Sequence, residues 1–162
     1  MRLTGETPFT LDAMKTAFPG HEVLTDRAFS GDQAYPVFLI QTIATPNEPS
    51  RLVYVVEPDW TLGNVGAVVT RNPAVTGPHG GTVGKMKLKD LTPEARARCT
   101  LQPGPIDSLF ICPGNAESPR FIRAFGAGGD FDGKLDDASP EYQEEAVLLE
   151  MKFIPQPATA NK

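Results

Sequence analysis

The first hydrophobic residues of the chain recur at helical spacing and then change to the pattern of strands. Leu11, Met14 and Phe18 follow Thr10 at intervals of three or four residues, which predicts a short helix capped by the Thr10 hydroxyl. The proline and glycine after Phe18 end it, because proline lacks a backbone donor and glycine frees the backbone. Segment 22–29 is then predicted as a strand.

Two apolar runs, 35–44 and 51–57, are the strongest strand signals in the chain. Both are rich in β-branched and aromatic residues, and the polar segment 45–50 between them has turn chemistry, so they are predicted to form a hairpin. Their apolar residues are nearly continuous, which is typical of strands covered on both faces. Segment 66–70 is a weaker strand prediction.

Helix and strand signals are also present in the second half of the chain. Thr92 and Pro93 have the chemistry of an N-cap and a first helical residue, and segment 139–146 begins in the same way. Segments 108–112 and 120–125 are predicted as two strands joined by a turn.

The last predicted element is a strand that closes the fold. Val147, Leu149, Met151 and Phe153 alternate with other residues, so they are expected to share one buried face. The elements together predict an α+β fold, a single domain dominated by antiparallel strands with two or three short helices. Residues 1–155 are expected to form this domain and 156–162 a flexible C-terminal tail.

Composition supports a strand-and-turn architecture. Sixteen prolines and fifteen glycines among 162 residues punctuate the whole chain without forming a repeat. The formal net charge is −5 and the basic residues are scattered, so no nucleic-acid partner is expected. No apolar run reaches the roughly 20 residues that span a bilayer. The N-terminus does not have a signal-peptide pattern, so we expect either a cytosolic protein or a chain from which a leader has been removed.

Cys99 and Cys112 are the two cysteines of the chain, and three interpretations of them remain open. They are two buried thiols, a reactive pair, or a disulfide. The disulfide is favoured, because the segment between them has the turn chemistry to bring the chain back. In the chain-entropy model such a bridge stabilises a fold by about 3 kcal/mol, and it implies an oxidising compartment.

Several spaced segments resemble the RpoE-regulated lipoproteins, the YfeY-like family of small Gram-negative envelope proteins without assigned activity. The resemblance covers most of residues 7–155. It is carried by TPFTLDAMKTAFPGHEV, AYPVFLI, GGTVGKMKLKDL, LFICPGNAESPRFIRAF and GDFDGKLDDASPEYQEEAVLLEMKFIP, with Cys99 between the third and the fourth.

This resemblance implies a location, not a chemistry. It implies a periplasmic lipoprotein, membrane-anchored through a lipidated cysteine and linked to the envelope stress response. The chain departs from the family pattern because no cysteine precedes Cys99, so the anchor is expected only in the full-length form.

The acidic segment 128–137 resembles a calcium loop, with Asp130, Asp132 and Asp136 clustered around an Asp-Gly step. Calcium requires six to eight oxygen ligands, and Lys134 stands where an EF-hand has a further ligand. A solvated turn is therefore favoured, and neither a metal site nor a cofactor is expected.

His79 and Trp60 are the remaining candidates for a ligand or partner surface. His79 lies in a glycine-rich loop, without a second histidine or a cysteine at metal-ligand spacing. Trp60, the one tryptophan, is interpreted mainly as a plug at one end of the core, and otherwise as a partner anchor.

The sequence therefore predicts a non-enzymatic periplasmic domain with a binding or structural role in the cell envelope, whose partner is an envelope protein or a glycan. The alternative is a small envelope enzyme, or an enzyme inhibitor, that uses loop residues around His79 and Asp130. A cleft that groups His79 with acidic side chains would favour the enzyme, and a protruding ordered loop the inhibitor.

Overall fold

The computed structural model describes residues 3–78, 80–102, 109–114, 120–126 and 144–156. These residues form eight strands, two short α-helices and one 3-10 helix at Leu88–Asp90. The helices are α1 (Leu11–Ala17) and α2 (Pro93–Ala97). The strands are β1 (His21–Ser30), β2 (Gln33–Thr42), β3 (Leu52–Pro58), β4 (Val65–Thr70), β5 (Thr100–Gln102), β6 (Leu109–Pro113), β7 (Phe121–Gly126) and β8 (Val147–Phe153).

The chain forms two compact units. The first contains Met1–Asn72 and Phe153–Lys162, and the second contains Pro73–Lys152. The prediction of one domain with a tail from 156 stays a prediction. Residues 157–162 lie outside the described part, and the Gln156 carbonyl accepts a hydrogen bond from the Gly5 amide at 2.7 Å.

The first unit is an antiparallel meander in which β1, β2, β3 and β4 are neighbours in chain order. Its core contains Met14, Phe38, Ile40, Val56, Val65 and Val68. Helix α1 contributes Met14 to this core, and the Thr10 hydroxyl accepts a hydrogen bond from the Ala13 amide, as the sequence predicted. The 35–44 and 51–57 hairpin is also confirmed, because β2 and β3 pair directly.

The second unit orders its strands β8, β7, β6, β5, and β6 pairs antiparallel with both β5 and β7. The Leu88 amide donates to the Ala146 carbonyl and the Leu148 amide to the Met86 carbonyl, each at 2.8 Å. Helix α2 begins as predicted, since the Thr92 hydroxyl accepts from the Ala95 amide.

The α+β prediction is confirmed in its coarse form, as a fold dominated by strands with few helices. The predicted face of the last strand is confirmed at Met151, which is fully buried, and is wrong at Leu149, which is 38% exposed while Leu148 is fully buried. The reason is that Leu148 pairs through its backbone with Gly84 and Met86, which shifts the alternation at the start of β8. Of the predicted helix 139–146, residues before 144 lie outside the described part.

Candidate functional site

The two cysteines form the predicted disulfide. The Cys99 and Cys112 Sγ atoms are 2.02 Å apart, and the Cα–Cα distance is 4.1 Å. Cys99 follows helix α2, and Cys112 is a fully buried residue of β6. The bridge therefore fastens the end of α2 to the sheet of the second unit.

A buried arginine lies beside this bridge, on the neighbouring strand and the same face of the sheet. Arg123 of β7 pairs with Cys112 of β6, so both side chains are on the same face of the sheet. Phe121 and Phe125 lie on that face too, because strand residues two apart point the same way. Arg123 is only 5% exposed, and its guanidinium carbon is 5.5 Å from the centre of the Phe121 ring.

The environment of Arg123 disfavours its positive charge. Burial lowers the pKa of Arg123 below its ordinary value, and the nearby charge of Arg98 lowers it further. The Arg123 Nε atom is buried and has no hydrogen-bond partner among the described residues. An arginine buried to this degree is normally paired, which makes Arg123 exceptional.

The disulfide brings a second arginine to the same place. Arg98 is the C-cap of α2 and immediately precedes Cys99, so the bridge to β6 fixes its position. Its Nε atom is also buried, and it too has no partner within the described part of the chain. Two cationic side chains thus lie near each other.

Both arginines line a cavity of about 320 Å³. The remaining lining residues are the apolar Met86, Leu91 and Ala95 and the polar Asp90 and Thr92. We call this cavity, with Arg98 and Arg123, the arginine cavity. Its cations and its apolar wall suit a ligand that has a negatively charged group and an apolar part.

The polar groups of Asp90 and Thr92 already serve the backbone. An Asp90 carboxylate oxygen, Oδ2, accepts a hydrogen bond from the Lys87 amide at 2.8 Å. The Thr92 hydroxyl accepts one from the Ala95 amide at 3.2 Å. These bonds hold the 3-10 helix and α2 in shape, while the Arg98 and Arg123 Nε atoms are buried and lack a hydrogen-bond partner among the described residues.

The structure describes one of the candidates predicted for a ligand surface. Trp60 is 93% exposed, so its interpretation as a plug of the core is wrong. The reason is that Trp60 lies outside the hydrogen-bonded strands, in the loop between β3 and β4. His79, Asp130, Asp132 and Asp136 lie outside the described residues, and their roles stay predictions.

The loop that carries Trp60 is held by a single carboxylate oxygen. The Asp59 Oδ1 atom accepts hydrogen bonds from the Thr61 hydroxyl at 2.7 Å, the Thr61 amide at 3.0 Å and the Asn64 amide at 3.4 Å. These bonds, that of the Thr61 hydroxyl first, lower the pKa of Asp59 below 3.8. We call Asp59–Asn64 the tryptophan loop.

The described residues contain neither a metal centre nor a membrane-spanning helix. No group of three or more histidine, cysteine, aspartate or glutamate side chains is placed there to hold a metal ion. No helix in that part is long and apolar enough to cross a membrane.

The sequence analysis missed Arg98 and Arg123, although one of them left a visible signal. Segment 121–125 places a positive charge between two phenylalanines on the same face of a strand. A charge at the centre of an otherwise apolar face is the pattern of a buried functional group. Arg98 left no comparable signal, because its position depends on the bridge.

Comparison with known proteins gives a fold without a function. The structure is similar to the crystal structure of the uncharacterized protein yfeY from Escherichia coli, with a TM-score of 0.64 and 14% sequence identity. The match covers 94% of this chain and 96% of that one. No family model and no curated protein matches the sequence. The YfeY-like fold expected from the sequence is therefore confirmed.

Proposed function

We propose that this chain is the globular part of a periplasmic lipoprotein, with a binding role in the cell envelope and not a catalytic one. The observation that carries the proposal is the disulfide between Cys99 and Cys112, which uses both cysteines of the chain. Structural disulfides persist in oxidising compartments such as the bacterial periplasm and are rare in the cytosol.

The lipid anchor and the link to envelope stress come from the family resemblance. They are supported by the fold that the chain shares with yfeY, which at 14% identity is a likeness of architecture. The anchored form would have its lipid-bearing cysteine before Met1, because the first cysteine in this sequence is Cys99 and its sulfur is already bonded to that of Cys112.

A binding role is supported by the chemistry of the arginine cavity. Its carboxylate and hydroxyl, on Asp90 and Thr92, each accept one backbone hydrogen bond. Its arginines are suited to attract and hold an anion, because a guanidinium group carries several donors and no acceptor. The cavity therefore favours recognition of an anion.

The test is to express the gene from its native start in a Gram-negative host and to separate periplasm, membranes and cytoplasm. We expect the protein in the membrane fraction, labelled by a radioactive fatty acid and lacking titratable thiols until it is reduced. The Cys99→Ser variant is the control for thiol counting. Cytoplasmic protein with two free thiols would contradict the location, and unlabelled periplasmic protein would contradict the anchor.

A further inference from the structure

We propose that the arginine cavity binds a small organic anion. The carboxylate or phosphate group of this ligand is held by Arg98 and Arg123, and its apolar part lies against Met86, Leu91 and Ala95. This inference deepens the binding role proposed above and rests on it, but it does not depend on where the protein resides, so a failure of anion binding and a failure of the periplasmic location are distinguishable.

The first argument is the uncompensated charge. Arg123 is only 5% exposed to solvent, and its Nε atom has no hydrogen-bond partner in the part of the chain that the structure describes. Burying a cation without a partner costs free energy, and a second cation, Arg98, adds repulsion. An anion in the cavity would remove both penalties, because it would supply the missing acceptor and the missing negative charge.

The second argument is the chemistry of the guanidinium group. Arginine presents its donors in a planar fork that matches the oxygens of a carboxylate or a phosphate, and such bonds are stronger than neutral ones. Two arginines that line one cavity favour a group with several acceptor oxygens. The Phe121 ring, 5.5 Å from the Arg123 guanidinium carbon, makes a cation–π contact with this group.

The third argument is size and lining. A volume of about 320 Å³ lies at the lower end of the range typical of small-molecule sites, roughly 300–1,000 Å³. An inorganic ion would leave most of this space empty. The apolar side of the cavity gives an organic body a place to bury, and the flexible side chain of Met86 can adapt to its shape.

The binding test uses purified oxidised protein and isothermal titration calorimetry at constant ionic strength. The probes are hexanoate, hexyl phosphate, inorganic phosphate and hexanol. We expect at least one of the hexyl anions to bind more tightly than inorganic phosphate, and hexanol not to bind. The tighter of the two hexyl anions identifies the preferred group. Absence of binding by both, or equal binding of hexanol, would overturn the proposal.

The variant test separates the two arginines from charge in general. Arg98→Met and Arg123→Met should each weaken the tighter hexyl anion by about tenfold or more, the usual effect of losing a charged hydrogen bond. Arg96→Met is the matched control: it removes the same charge from an exposed position of α2 and should leave binding within about twofold. Equal losses in all three variants, or unchanged binding in Arg123→Met, would contradict the site.

A fourth variant tests the sign of the electrostatics. Asp90→Asn removes the negative charge from the lining but keeps an oxygen that can accept the Lys87 amide. Anion binding should become about two- to threefold tighter, because like-charge repulsion is lost. Weaker binding would show that the anion is not held near Asp90. If Arg123→Met fails to fold, Arg98→Met and Asp90→Asn decide the matter.

Discussion

The tryptophan loop of the first unit and the arginine cavity of the second treat charge in opposite ways. In the loop, the Asp59 carboxylate accepts three hydrogen bonds from its own neighbours, and these bonds lower its pKa. In the cavity, the pKa of Arg123 is also lowered, but by burial and by a second cation. The first charge is stabilised by the fold, and the second is tolerated by it.

The difference shows what a shifted pKa means. A lowered pKa in an acid means that the protein favours the charged form, and a lowered pKa in a base means that it disfavours that form. Asp59 therefore contributes to the stability of the fold, whereas Arg123 reduces it. A charged group that the protein keeps although it lowers the stability of the fold is a stronger candidate for a functional role. The loop in turn exposes apolar side chains, Trp60 at 93% and Leu62 at 54%.

The largest expected effect comes from removing the bridge behind the cavity. Cys99→Ala should lower the free energy of unfolding by about 3 kcal/mol, the chain-entropy value for a loop of this length. Anion binding should weaken as well, because the bridge holds Arg98 beside the β7 strand. Urea denaturation and calorimetry measure the two effects. The reduced wild type is the control, and an unchanged unfolding free energy in Cys99→Ala would contradict a structural role for the bridge.

The next effect has the opposite sign. Without an anion, Arg123→Met should raise the free energy of unfolding by about 1 kcal/mol, because it replaces a buried cation, whose Nε atom has no partner among the described residues, with an apolar side chain of similar length. The methionine sulfur can still contact the Phe121 ring. Thermal and urea denaturation in anion-free buffer measure the change. Destabilisation would show that Arg123 has a carboxylate partner elsewhere in the chain, and would remove the contrast with Asp59.

The sequence predicted local features well, because their causes are local. Thr10 and Thr92 cap helices since their hydroxyls reach amides three residues ahead, and this depends on a few neighbouring residues. The bridge was favoured from the turn residues between its cysteines. The pattern of short strands and turns predicted the strand-dominated fold, and the resemblance carried by spaced segments agrees with the fold that the chain shares with yfeY at 14% identity.

The arginine cavity could not be predicted in the same way. Arg123 is detectable as a charge between Phe121 and Phe125, but nothing near it in the sequence indicates Arg98. The two meet because the disulfide fastens the end of α2 to β6 and the pairing of β6 with β7 places Arg123 beside Cys112, so the cavity depends on both contacts together. The predicted alternation of buried and exposed residues in β8 failed for a similar reason. The position of Leu148 is set by backbone hydrogen bonds with Gly84 and Met86, which are distant in the sequence.

The charge of Asp59 provides a smaller effect that depends on pH. Asp59→Asn keeps an acceptor oxygen but loses the charge, so it should lower stability at pH 7. Because the folded pKa of Asp59 is lowered, its contribution is complete above the unfolded pKa of about 3.9 and is lost as pH falls through the folded value. The variant and wild type should therefore converge in acid. Asp32→Asn, in the turn between β1 and β2, is the control, and a difference that persists in acid would show that charge is not its cause.

The smallest effect concerns the backbone of the same loop. Leu62 has a φ of +61°, a left-handed conformation that favours glycine, and among the described residues it is the one non-glycine with a positive φ. Leu62→Gly should raise the free energy of unfolding by about 0.5 kcal/mol, since relief of about 1–2 kcal/mol of backbone strain exceeds the entropy that glycine adds to the unfolded chain. Leu62→Ala is the matched control, because it shortens the side chain but keeps the Cβ atom and the strain. Urea denaturation should place the glycine variant above the alanine variant. The reverse order would show that the backbone at Leu62 is not strained. It would also show that an exposed leucine at this position does not lower the stability of the loop.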